Sequence, residues 1–225
     1  MGNHSVREVI ERGLKEVERP GDIIILVSLI LSAVLVYSFS WWCLLLIPIG
    51  AVIATQYAIF ATEKWKYWAY HNVNDLHQFQ RSGELAGLLK IGSFETLPQE
   101  LHEMFANAPD FVDDPKIPGE LLFGTPPFSR KTIDAIVIIN ERGVHLPEDF
   151  FEWEYITHER VAHVSYRRKR GDGTETGGTR KNFRFQYGNR HLEIPLSELN
   201  TTAWKLDLAL YIYRGRHSLN KAMAN

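Results

Sequence analysis

The chain has 225 residues, 45% hydrophobic and 23% charged, with 25 Lys and Arg against 27 Asp and Glu for a formal net charge of -2. That balance argues against a strongly basic nucleic-acid-binding protein, and a single cysteine rules out a disulfide-built scaffold, so the chain must be held by its own core or by a membrane. The averages conceal one dominant feature: from Ile23 to Thr62 there is no Asp, Glu, Lys, Arg or His.

Residues 5–19 alternate basic and acidic groups around Val6, Val9, Ile10, Leu14 and Val17, a helical spacing that predicts an amphipathic helix lying along a membrane surface or against folded protein. The uncharged run follows. As one helix it would be about 60 Å long, twice the hydrocarbon thickness of a bilayer, so two crossings fit better than one. Ser38-Phe39-Ser40, flanked by Tyr37 and Trp41-Trp42, supplies a turn at the far interface, and Pro48 is a candidate kink in the second crossing. A cleaved signal peptide fits poorly, because a charged segment precedes a double-length apolar run. A hairpin dipping into one leaflet and a buried hairpin in a soluble protein are the other rivals. Arg7, Arg12, Lys15 and Arg19 before the first crossing and Lys64 and Lys66 after the second, against an uncharged turn, place both ends on the cytoplasmic side.

After the second crossing the pattern reads as helix continuing inward to about Leu89, with an interruption near Gly83. A short helix is expected over 97–107. Six of the ten prolines lie between Pro98 and Pro127, and seven acids against one base lie between Glu95 and Glu120, so 108–129 reads as an irregular acidic connector. Six strands follow: Ile133 to Ile139, Val144 to Leu146, Phe151 to Tyr155, Val161 to Tyr166, Phe183 to Tyr187, and His191 to Ile194. The period then changes to helical, with Trp204, Leu208, Tyr211 and Ile212 on one face.

Ile136-Val137-Ile138-Ile139-Asn140-Glu141-Arg142-Gly143-Val144, then Phe151-Glu152-Trp153-Glu154-Tyr155-Ile156, then the helix around Trp204 to Tyr213, resemble the pleckstrin-homology-like (PH-like) domains of bacterial membrane proteins that follow a transmembrane hairpin. The resemblance covers about residues 131–225 plus the hairpin. It implies an α+β membrane protein: an N-terminal two-helix transmembrane hairpin plus a PH-like antiparallel β-sheet or barrel with a C-terminal helix. The expected organisation is an amphipathic helix at 1–20, the hairpin at 21–62, a helical and Pro-rich acidic connector at 63–130 and the PH-like domain at 131–225. The implied location is the bacterial inner membrane, multi-pass, with both termini cytoplasmic.

The densest charge cluster is Arg167, Arg168, Lys169 and Arg170, separated by a glycine-rich run from Arg180 and Lys181. It reads as a long flexible hairpin tip with basic shoulders, able to contact lipid headgroups or a protein partner, or simply to stay solvated. Arg184 and Arg190 would enlarge this patch if they face solvent. The glycines fit no phosphate-binding motif, and nucleic acid is disfavoured. His71 and His77 around Asp75, and His158, His163 and His191, match no metal-ligand pattern; Asp113-Asp114 lacks a positioned base or nucleophile, and no cofactor or metal is expected. The favoured function is a non-enzymatic membrane-anchored interaction module, touching membrane lipids around residues 23–62 and a protein partner or a second copy of the chain. The alternative is an accessory or immunity-type protein that binds a membrane partner through its hairpin, where Gly50, Ala51 and Ala54 would allow close approach; an enzyme is least favoured.

Overall fold

The computed structural model describes residues 4–38, 41–124, 135–169 and 175–224, with the backbone alone at 38, 41–42, 135–136, 163–169 and 175–177. The chain divides into two compact units, Met1–Pro109 and Asp110–Asn225.

The first unit is helical. Helix α1 (Val6–Gly13) begins at a capping box in which the Ser5 side chain accepts from the Glu8 amide and the Glu8 carboxylate accepts from the Ser5 amide. It runs on through a π-helical turn, Leu14–Glu18, into α2 (Arg19–Ser38), so the amphipathic segment and the first apolar helix form one rod. Val6, Val9 and Ile10 are the buried face of α1, which packs on α3 and α4. A 3-10 turn, Trp41–Leu45, leads into α3 (Leu46–Asn72). Pro48 is the third residue of α3, where the amide has no helical partner to lose, so it occupies the first turn instead of kinking the crossing.

Helices α2 and α3 pack against each other along their small residues. Gly50 and Ala54 are buried, Ser32 is buried with its hydroxyl donating to the Cys43 carbonyl at 2.9 Å, and a β-carbon on Gly50 would overlap Ser28. Their large side chains point the other way: Leu26, Ile30, Val34, Val52, Ile53 and Ile59 are all exposed. Only 6% of the most apolar window of the first span and 11% of the second is buried inside the protein. A core helix of a soluble protein would bury most of that surface, so these are two joined helices long and apolar enough to cross a membrane.

The expected break near Gly83 falls elsewhere. Helix α3 stops at Asn72; Val73 is extended and bridges His4 in parallel; α4 (Leu76–Ala86) then starts at Asp75, whose carboxylate accepts from the Gln78 amide at 2.9 Å, and passes through Gly83 unbroken. Gly83 serves packing, because a β-carbon there would collide with Leu89. The helix ends at Gly87, at φ 81°. Helix α5 (Gln99–Ala106) follows as the sequence predicts and buries Leu101 and Phe105. A buried polar chain ties this unit together: Tyr70 donates to Gln80 Oε1 at 2.6 Å, and Gln80 Nε2 donates to Ser93 at 3.1 Å and Glu84 at 2.8 Å.

The second unit comprises two antiparallel sheets and one long helix. Strands β1 (Glu120–Gly124), β2 (Ala135–Asn140), β3 (Gly143–His145) and β4 (Phe150–Glu152) form the first sheet in sequence order; β5 (Ile156–Lys169), β6 (Glu175–Tyr187) and β7 (Arg190–Pro195) form the second. The described chain therefore has seven strands where six are read from sequence, the extra one being β1, inside the stretch expected to be irregular. It registers Leu121 against Ile139 and Phe123 against Val137.

Phe151 to Tyr155 is not one strand. β4 ends at Glu152, and Trp153–Tyr155 make a 3-10 turn that carries the chain from the first sheet into the second. The corner is fixed by Trp153, whose indole N–H donates to the Asn140 carbonyl at 2.8 Å. Asn140 also closes the β2–β3 turn, its side-chain oxygen accepting from the Arg142 and Gly143 amides. Only glycine fits at 143, because a β-carbon would meet the Phe151 carbonyl.

Val137, Ile139, Val144, Phe151, Phe183 and Phe185 form the inner faces of the strands. Helix α6 (Ala203–Ala224) covers the core with Trp204, Leu206, Leu208, Leu210 and Ile212, each fully buried apolar side chain contributing about 1.5–3 kcal/mol. Residues 110–118 also pack on α6: Phe111 fills the space beside Gly215, and Tyr211 donates to the Asp110 carbonyl at 2.7 Å.

Candidate functional site

Five of the six basic residues singled out from sequence, Arg167, Arg168, Lys169, Arg180 and Lys181, lie on the longest hairpin of the second unit. β6 pairs with β7 only over Asn182–Tyr187, whereas β5 and β6 remain paired as far as Lys169 opposite Glu175. The rungs from Val164–Arg180 to Lys169–Glu175 thus form a two-stranded arm beyond the three-stranded sheet, about 20 Å long at the usual rise per residue. Arg167 faces Gly177 in register, Arg168 faces Thr176, and Arg180 and Lys181 are exposed on β6.

The described shoulders of the cluster are consequently strand-paired ribbon as far as Lys169 and Glu175. The register is regular from Val164 opposite Arg180 to Lys169 opposite Glu175, and the glycines at 177 and 178 sit within the strand. Arg170 and residues 171–174 at its tip lie outside the described residues.

Arg184 and Arg190 do face solvent, yet neither adds free charge to the arm. Arg184 donates to Glu193 through Nε at 2.9 Å and through a terminal nitrogen at 2.6 Å, and Arg190 pairs with Asp149 at 3.0 Å. The Arg184 contact, followed by a hydrogen bond from Asn182, holds the Glu193 carboxyl below its ordinary range. Glu193 is the partner that sequence reading missed. Its place opposite Arg184 follows from the β6–β7 register, which a two-residue Gly188-Asn189 turn sets.

Arg184 and Glu193 border a cavity of about 400 Å³ with His158, Arg160 and His191 on the second sheet. His158 has φ 56°, at the bulge between Thr157 and Arg160. The surface is polar and zwitterionic, with no cysteine or serine nucleophile among its lining residues.

Asp75, His71, His77 and Asp113 have structural partners, and the His163 side chain lies outside the described residues. Asp75 caps α4; His71 hydrogen-bonds the Tyr67 carbonyl at 2.8 Å; His77 packs edge-on to Phe105. Asp113 takes an ion pair from Arg216 at 2.8 Å, and the same guanidinium donates to the carbonyls of Asp114 at 2.9 Å and Ile117 at 3.1 Å. The start of the acidic segment is therefore clamped to α6. Among the described residues there is no group of three or more His, Cys, Asp or Glu that could hold a metal ion.

Gly50 and Ala54, read as a surface for another membrane helix, are consumed within the hairpin itself; Ala51 is exposed. Comparison of the chain with family models, with curated proteins and with solved structures found no match.

Proposed function

We propose that this protein is a non-enzymatic, membrane-anchored interaction module whose hairpin crosses the bilayer and whose second unit is a PH-like domain on the cytoplasmic side. The observation that carries the anchor is the outward-facing apolar belt of α2 and α3, which buries almost nothing inside the protein. The bases at both charged ends, Arg7, Arg12, Lys15 and Arg19 on one and Lys64 and Lys66 on the other, support cytoplasmic termini.

Seven strands in a four-plus-three arrangement with a C-terminal helix over the core support the PH-like reading, which now reaches back to β1 and so divides the chain earlier than residue 131. The basic β5–β6 arm is the contact surface, and it meets a protein or a headgroup layer. A bacterial inner-membrane location follows from the same resemblance.

Affinity capture from native membranes, with Arg167, Arg168, Lys169 and Arg170 changed together to Ser, tests the arm. Loss of a specific partner or of vesicle binding supports it, whereas unchanged partners and unchanged lipid contacts sink it.

A further inference from the structure

Where the hairpin meets its charged ends, the rod of α1 and α2 stands beside α3, and two cross-helix hydrogen bonds set their spacing. The Trp65 indole donates to the Val9 carbonyl at 3.2 Å, and the Tyr57 hydroxyl donates to the Glu16 carbonyl at 3.3 Å. Gly13 allows the first of these, because a β-carbon there would overlap the Trp65 ring. The second falls in the π-helical turn Leu14–Glu18, the kind of local widening that frequently accompanies functional sites.

A cavity of about 690 Å³ adjoins these two bonds. Arg12, Lys15 and Lys64 contribute positive charge to its lining, and Tyr57, Phe60 and Trp68 contribute aromatic surface. The α3 residues 57, 60, 64 and 68 recur at three- and four-residue steps and so share one face of the helix.

The charges are not equivalent. Arg12 is engaged by Glu16 at 2.7 Å and lies 3.9 Å over the Trp68 ring, whereas Lys15 and Lys64 pair with no described carboxylate. The lining thus holds three bases against the single acid Glu16, which Arg12 already occupies. Phe60 is 70% exposed and Tyr57 38%, and α3 continues from them into exposed Ile59, Ile53 and Val52. One side of the cavity is therefore cationic and the other opens onto the apolar belt. A soluble anion matches only the first. An amphiphile with an anionic head and hydrocarbon tails matches both, and the volume suits a headgroup and its glycerol while the tails stay in the bilayer.

We propose that this cavity binds an anionic glycerophospholipid of the leaflet at the hairpin's charged ends, its phosphate between Lys15 and Lys64 and its acyl chains along Phe60 and Tyr57. The site rests on the hairpin lying in a membrane. It belongs to the first unit alone and is independent of the β5–β6 arm.

The test is native mass spectrometry of the full chain in a neutral detergent with phosphatidylglycerol, phosphatidylcholine or glycerol 3-phosphate added. Three proteins are compared: the natural chain, the double variant K15Q/K64Q, and the charge-matched control K90Q/K205Q. A61W, which fills the cavity without changing charge, is a fourth. Phosphatidylglycerol should be retained over phosphatidylcholine, K15Q/K64Q should lose about ten-fold or more in affinity, A61W should lose it too, and the control should not.

Equal binding by K15Q/K64Q and the natural chain overturns the site, as does equal loss in the control, which would make the effect general surface charge. Competition by glycerol 3-phosphate as strong as by the lipid overturns the lipid assignment in favour of a soluble phosphate. Alkaline-carbonate extraction reads the anchor separately. A natural chain that stays in the pellet while lipid binding is unaffected by the variants refutes the site and leaves the anchor standing; release of the natural chain into the supernatant refutes both.

Discussion

Gly50 of α3 lies directly against Ser28 of α2, so closely that a β-carbon at position 50 would overlap both the Cβ and the hydroxyl of Ser28. The Ser28 hydroxyl donates to the Ile24 carbonyl at 2.8 Å, and rotating it away would not remove the clash with its own β-carbon. In a bilayer, close backbone packing of this kind is what would hold two apolar helices together. The variant G50L should destabilise the hairpin by about 1–3 kcal/mol, the usual cost of overpacking, while A51L, at an exposed position of the same helix, should be close to neutral. Thermal unfolding of the full chain in detergent, compared for the two variants, measures the difference; equal effects would contradict the packing.

Arg216 holds residues 113–117 against α6 through one carboxylate and two carbonyls, with its side chain only 12% exposed. R216A removes all three donated bonds, although the Asp114 carbonyl keeps the Ile117 amide at 3.0 Å, and should cost about 1–3 kcal/mol. Limited proteolysis should then cut within 110–119 earlier than in the natural chain.

Trp153 carries the corner between the two sheets. W153F retains most of the buried ring but removes the N–H that the Asn140 carbonyl accepts, and should cost about 1–2 kcal/mol in denaturant unfolding. A larger loss from N140A is expected: its backbone carbonyl still accepts from Trp153, but the Arg142 and Gly143 amides lose the side-chain oxygen that closes the β2–β3 turn.

Tyr213 provides an alkaline signature. Burial is the main cause that pushes its phenol from 10.0 up to about 12; nearby Glu120 and Glu141 push the same way and Arg216 opposes them. A raised pKa means that the folded state favours the protonated phenol, so this contribution is fully present below pH 10 and declines as pH climbs towards 12. Stability of the second unit should fall across that window. Y213F should remove that part of the decline, which tyrosinate absorbance followed alongside unfolding would register.

The hairpin was legible in sequence because forty successive uncharged residues state their environment without reference to any partner. The later strands were legible because alternation in Phe183 to Tyr187 and the Asn140 to Gly143 turn are local signals. Three features were not. β1 hides in Glu120-Leu121-Leu122-Phe123-Gly124 because prolines on both sides read as loop, and only its partner β2 makes it a strand. The break at Val73 depends on a bridge to His4, sixty-nine positions away, while Gly83 looked like a breaker but is a contact for Leu89. Among the basic residues, composition identified the arm but not which bases are spent: Arg184 is tied to Glu193 by the β6–β7 register, and Arg190 reaches Asp149, forty-one positions away, in the turn before β4.

Cysteine labelling from outside the cell tests the central claim most directly. In a C43S background, S38C stands at the end of α2 next to the uncharged turn, and S218C stands on exposed surface of α6. With a membrane-impermeant maleimide, S38C should react in intact cells, and S218C should react only after the membrane is opened. Labelling of S218C in intact cells would contradict a hairpin that leaves the second unit inside.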